Sequence, residues 1–184
     1  MRRALMDYRA WRDEGLQPPR IAVNVSAIQL AQADFVDMLR SEIAAHAGDS
    51  HGLDLEITES LLMQDIEGNI EKLRAIRGMG ISIAVDDFGT GFSSLRYLAK
   101  LPINALKIDR SFVITMADEA DGMAIASTVI SLGHSLRLKV IAEGVETEAQ
   151  RRLLTLLKCE EAQGYLFYQP LSAEQLKAVL RAGS

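Results

Sequence analysis

Apolar positions along the chain switch repeatedly between two spacings. Leu5, Tyr8 and Trp11 recur at helical spacing over residues 4–13, and Pro18-Pro19 closes that unit. Residues 21–25, IAVNV, then read as a strand. Phe35, Leu39 and Ile43 predict a helix over 34–47, and 53–57 form a second strand. Ile66, Ile70, Leu73 and Ile76 mark the next helix, stopped by Gly78 and Gly80. Residues 81–85 are a third strand, 93–99 a short helix, and 105–108 a fourth strand after Pro102. Ile125, Val129, Leu132 and Leu136 share one side of a helix over 119–136, and 138–142 is a fifth strand. Thr147 with Gln150, and Ser172 with Gln175, have capping-box spacing; they open two helices that flank a sixth strand at 162–167.

Strands alternating with helices are the signature of βα units and a mostly parallel sheet. An open doubly wound sheet and a (β/α)₈ barrel both produce it. No Gly-rich dinucleotide fingerprint follows the first strand, and six strands are too few for a full barrel. Strand parity favours a curved sheet. Ile21, Val23 and Val25, then Leu53, Leu55 and Ile57, then Ile81, Ile83 and Val85, form one bulky aliphatic face that suits packing under helices. Leu106 with Ile108 and Val140 with Ala142 continue it. The opposite face is small or polar and becomes charged toward the strand C-termini, through Asn24, Glu56, Asp86, Lys107 and Glu143. A sheet curling into a barrel gives this pattern, with a polar mouth at the C-terminal rim. The expected fold class is therefore α/β, an incomplete TIM-like barrel with about six of eight strands.

Composition narrows the setting. Of 184 residues, 48% are hydrophobic, enough for one domain with its own core. The net charge is −5 without a basic run, which argues against a nucleic-acid polymer as partner. Cys159 is the single cysteine, so no internal disulfide forms. No apolar stretch approaches the roughly 20 residues of a membrane span, and the first residues lack a signal-peptide core. The expected location is cytoplasmic.

The charged mouth carries the chemistry. Residues 81–95, ISIAVDDFGTGFSSL, end a strand on adjacent carboxylates, Asp86 and Asp87, before a glycine-bracketed loop. Adjacent carboxylates repel, and a strand end tolerates them when a cation or a shared proton compensates. Glu56 and Glu143 join them, Glu59 and Glu146 lie three residues beyond those two, and Lys107 is the strand-borne cation. An all-oxygen set selects Mg²⁺ or Mn²⁺ over zinc. Two such ions suit in-line hydrolysis of a phosphodiester, with Asp86 as a bridge and Lys107 orienting the attacking water or neutralising developing charge. His46, His51, His134 and Cys159 read as surface or packing residues.

Five ordered stretches, LEITES (55–60), DDFGTGFSSL (86–95), LKIDRSFV (106–113), IAEGVET (141–147) and QGYLF (163–167), together with NVSA (24–27), strongly resemble the EAL-domain cyclic di-GMP phosphodiesterases. That resemblance implies a TIM-like barrel hydrolysing cyclic di-GMP to linear pGpG with Mg²⁺ or Mn²⁺. It implies Asn24, Glu56, Asp86, Asp87 and Glu143 as metal ligands and Lys107 as the water-orienting lysine. It implies that Glu59 holds the loop from Asp87 to Ser93, that Gln163 and Glu146 support the site, and that Asp109 lies near substrate. It also implies a homodimer through the loop and helix of residues 87–99.

The Glu-Ala-Leu motif itself is absent. In the family it lies on the second strand, so the chain reads as a single EAL-type domain, 1–184, lacking its first two strands and one metal-binding glutamate. Ile28 stands where many relatives carry arginine. Three readings follow: part of an active phosphodiesterase, with this stretch alone weak or inactive; a non-catalytic cyclic di-GMP sensor or interaction module; or another metal-dependent (β/α) hydrolase of glycerophosphodiesterase type.

Overall fold

The structure, a computed structural model, describes residues 1–46, 50, 52–91 and 95–182. His51 and Ser93, both named above, lie outside them. The first half runs α1 (Arg2–Asp13), β1 (Ile21–Asn24), α2 (Ala27–Ala31), α3 (Phe35–Ala45), β2 (Leu53–Thr58), α4 (Glu59–Leu62), α5 (Ile66–Gly78) and β3 (Ser82–Phe88). The second half runs α6 (Leu95–Leu98), β4 (Ala105–Ile108), α7 (Arg110–Thr115), α8 (Ala120–Ser135), β5 (Lys139–Ala142), α9 (Glu148–Leu156), β6 (Glu161–Ala162) and α10 (Ala173–Ala182). All pairings are parallel, and spatial order equals chain order, β1 to β6. Consecutive parallel strands joined through helices in this way form one curled sheet, a half-barrel.

The parity reading holds. Leu53, Leu55, Ile57, Ile83, Leu106, Ile108, Val140 and Ala142 are buried on the convex face, with Leu39, Leu73, Ile76 and Val129 from the surrounding helices. The concave face holds a hollow of about 160 Å³ lined by Ala22, Asp54, Glu56, Ser82, Ala84 and Ala105.

Two expectations change. The sixth strand is only Glu161–Ala162, not residues 162–167. Gln163 bonds to the backbone of Ala142 and Val145, and Gly164 then abuts Val145 so closely that a Cβ would lie 2.2 Å from its carbonyl oxygen. From there the chain turns, with Phe167 and Tyr168 N–H groups bonding back to Gly164. The second change is three short helices, α2, α4 and α7, which the apolar period does not reveal. At four to six residues they are too short to show one.

Candidate metal centre

One irregularity in the sheet builds the mouth. β3 and β4 pair Val85 with Leu106 and then Phe88 with Ile108, so Asp86 and Asp87 together stand against Lys107 alone. Asp87 occupies the left-handed region at φ 52°. That conformation costs an L-residue about 1–2 kcal/mol, and aspartate is among the residues that adopt it most readily. In a regular strand the two carboxylates would leave opposite faces. The bulge gathers them instead, and carboxylate oxygens of Asp86, Asp87 and Glu143 lie within 4.8 Å of one another.

Lys107 enters this group from β4 and is only 3% exposed. Its Nζ lies 2.8 Å from Glu56 Oε2 and 3.0 Å from Asp86 Oδ1, and it pairs with Glu143 Oε1. Strands β2 and β4 flank β3, so in a flat sheet they would be about 9.5 Å apart. Side-chain length and curvature together close that gap. Gln163 Nε2 donates to the same Glu143 oxygen at 2.7 Å. Burial works against the Lys107 ammonium, but its hydrogen bonds to Glu143 and Glu56 and their charges prevail, and its pKa is raised. Burial raises the Glu143 carboxyl despite the hydrogen bond from Lys107. Burial also raises Asp87, with repulsion from Asp86 and Asp109 adding to it.

This donor set fits a hard divalent cation. Three carboxylates, Glu56, Asp86 and Glu143, pair with one ammonium, and Asp87 joins Asp86 and Glu143 within 4.8 Å. Asp86 Oδ1 is buried and, although close to Lys107, forms no hydrogen bond of acceptable geometry. With the Lys107 ammonium 3.0 Å away as its neighbouring charge, this carboxylate oxygen keeps lone-pair capacity that a hard cation would fill.

The remaining expected residues surround this core. Asn24 ends β1 in register with Glu56, exposed at the sheet edge. Glu59 opens α4, is 3% exposed, and accepts the Gly89 N–H at 3.0 Å. A Cβ on Gly91 would approach Glu59 Oε1 to 2.9 Å, so a side chain at that position would press on the carboxylate. Glu59 therefore grips the described start of the loop, while residues 92–94 lie outside the description. Asp109 faces Asp87 and caps α7 by accepting the Ser111 N–H at 2.9 Å. Glu146 is exposed, 3.5 Å from Arg110, and its N–H donates to Gln150 Oε1 at 2.8 Å.

His46 Nδ1 lies 2.8 Å from the Glu42 carbonyl, and His134 Nε2 lies 2.8 Å from Glu160. His46 follows α3 and His134 lies in the last turn of α8, so neither is carried by a strand C-terminus. Cys159 packs against the core, and burial pushes its thiol up to about 11. Sequence reasoning missed a cleft of about 310 Å³ beside Glu143, Glu146 and Gln163, walled by Arg110, Tyr165 and Tyr168. The signal for Arg110 was its place one residue past Asp109 at a strand end. Tyr165 was hidden by the overextended sixth strand, and Tyr168 follows directly after it.

A parallel α/β half-barrel with an all-oxygen acidic cluster at its C-terminal rim is the class defined by this geometry. The sequence profile of the family described as EAL domain matches residues 1–170, and the chain belongs to that family. It is 46% identical over 175 residues to the bifunctional diguanylate cyclase/cyclic di-GMP phosphodiesterase MucR of Pseudomonas aeruginosa, covering 95% of this chain and 26% of that protein. It is 43% identical over 182 residues to the cyclic di-GMP phosphodiesterase NbdA of the same species, covering 99% and 23%. The chain thus spans about a quarter of these curated relatives. Among solved structures, the MucR phosphodiesterase in its c-di-GMP complex superposes with a TM-score of 0.90 at 46% identity, over 95% of this chain and 71% of that one. The EAL domain of Mycobacterium smegmatis DcpA gives 0.93 at 36% identity, over 99% and 82%.

Proposed function

We propose that this chain carries the metal-dependent site of a cyclic di-GMP phosphodiesterase that releases linear pGpG. The observation that carries the reading is the bulge at Asp86-Asp87, which sets three carboxylates within 4.8 Å around the Lys107 cluster. The names of MucR and NbdA and the c-di-GMP complex of MucR support the substrate.

Asp86, Asp87 and Glu143, with Glu56 and Asn24 at their flank, would hold Mg²⁺ or Mn²⁺. Such ions supply charge neutralisation at the phosphate and acidify water near neutral pH. The chain's own groups do the rest. Lys107 stays protonated and offers a fixed positive charge beside the reacting phosphate, where it also orients water. Glu59 holds the Gly89 end of the loop so that Asp87 keeps its left-handed backbone. Asp109, Glu146 and Gln163 line the approach, with Gln163 fixing the rotamer of Glu143. Arg110, Tyr165 and Tyr168 offer a guanidinium and two exposed rings suited to a phosphate and a purine.

Chromatographic conversion of cyclic di-GMP with Mn²⁺ is the test. Turnover is expected to stop with EDTA and with Glu143→Gln. Among the described residues β1 and β6 do not pair with each other, so we expect the six-strand chain to turn over weakly. That open sheet also favours a second reading, a cyclic di-GMP sensor. Calorimetric binding with no turnover, even in a chain extended to the length of the solved relatives, would select it. A homodimer through residues 87–99 completes the proposal, and sedimentation checks it.

A further inference from the structure

Helix α5 directs two polar side chains, Asn69 and Lys72, at the ends of two other helices. The pair is three residues apart and so shares one face of α5. Asn69 is 6% exposed, and its Nδ2 donates to the carbonyls of Leu61 at 3.4 Å and Leu62 at 3.3 Å. Lys72 Nζ donates to the carbonyls of Leu30 at 2.5 Å and Gln32 at 3.2 Å. These are the C-terminal ends of α4 and α2.

Those two helices have four and five residues. Helices so short do not persist alone, and their last carbonyls lack partners within the helix. The α4 end is withdrawn from water at Leu61 and Leu62, and the α2 end is buried at Leu30 but exposed at Ala31 and Gln32. α5 can serve as a fixed support because Ile70, Leu73 and Ile76 lock it into the core. Lysine suits the α2 end: one ammonium reaches two carbonyls and complements the negative end of the helix.

What matters is what the short helices hold at their other ends. α2 starts from Ser26, whose side chain and Gln29 form a capping box, two residues after Asn24. α4 starts on Glu59, whose carboxylate holds the Gly89 N–H. Each is a rigid link between a strand terminus at the mouth and α5 behind it. We infer that Asn69 and Lys72 are positioning residues of the metal-holding rim, clamping the C-terminal ends of α4 and α2 and so fixing Glu59 and Asn24. The inference rests on the proposed roles of those two residues.

The test uses this chain with Lys72→Met, Lys72→Arg and Asn69→Leu, and reads amide hydrogen exchange together with calorimetric Mn²⁺ affinity. Lys72→Met is expected to speed exchange over residues 24–31 about fivefold or more while β3 to β5 keep their protection. Its Mn²⁺ affinity is expected to weaken about threefold, a loss of well under 1 kcal/mol by affinity arithmetic. Lys72→Arg, which keeps the donors, is expected to restore both. Asn69→Leu should speed exchange over residues 59–62 and at Gly89; if it does not fold, the lysine variants carry the test. Unchanged exchange at 24–31, or an equal change in every element, overturns the clamp. Faster local exchange with wild-type Mn²⁺ affinity overturns the positioning role. An unmodified chain that binds no Mn²⁺ overturns the metal reading instead, and the exchange data still decide the clamp.

Discussion

Lys107 places one ammonium among Glu56, Asp86 and Glu143 in a site largely closed to water. Removing it leaves those carboxylates facing one another without a buried counter-charge. Lys107→Met is therefore expected to lower stability by about 3–5 kcal/mol in urea unfolding with EDTA, and Mn²⁺ should recover part of that loss. Asp87 tests the backbone rather than the charge. Asp87→Gly and Asp87→Val both delete the carboxylate, but only valine resists the φ of 52°. The valine variant should be less stable than the glycine variant by about 1–2 kcal/mol in the same assay. The adjacency of the two aspartates is plain in the sequence. Their convergence is not, because strand parity alone sends neighbours to opposite faces.

At the scale of elements, the long amphipathic helices and the aliphatic strands were legible, and the short rim helices were not. α5 shows Ile70, Leu73 and Ile76 at helical spacing, whereas α4 has four residues and depends on Asn69 from another helix. Length of pattern is what local reading needs, and α2, α4 and α7 lack it. α10 illustrates the opposite case, a legible helix whose apolar side is only half-buried. None of its residues is buried, and Lys177 and Arg181 tether it to Glu14 at the end of α1. The hydrogen bond from Lys177 holds the Glu14 carboxyl below its usual value. A depressed carboxyl contributes stability above its unfolded pKa and loses it as pH falls through the folded value. The protection of α10 amides relative to their intrinsic exchange rate should accordingly fall on acidification below the usual carboxylate range, and Glu14→Gln should produce the same loss of protection at neutral pH.

Across the whole molecule, six parallel strands form one continuous core on the convex side and gather charge on the concave rim. A ligand that binds only the folded arrangement stabilises it by mass action. Mn²⁺ at about 100 times its dissociation constant should add about 2.7 kcal/mol, read as a rise in Tm that EDTA reverses. Mg²⁺ should act in the same direction, since both ions favour an all-oxygen site.

The sequence by itself determined the alternation of strands and helices, the face each strand buries, and the carboxylates and lysine at the strand ends. These follow from periods of two and 3.6, which are local properties of the chain. Only the tertiary structure decided how those groups meet. The bulge that aligns Asp86 with Asp87 exists through pairing with β4, and Lys107 reaches Glu56 across β3 because the sheet curls. The early turn at Gly164 likewise comes from contact with Val145. Register, curvature and close approach are relations between distant segments, so no window of sequence contains them.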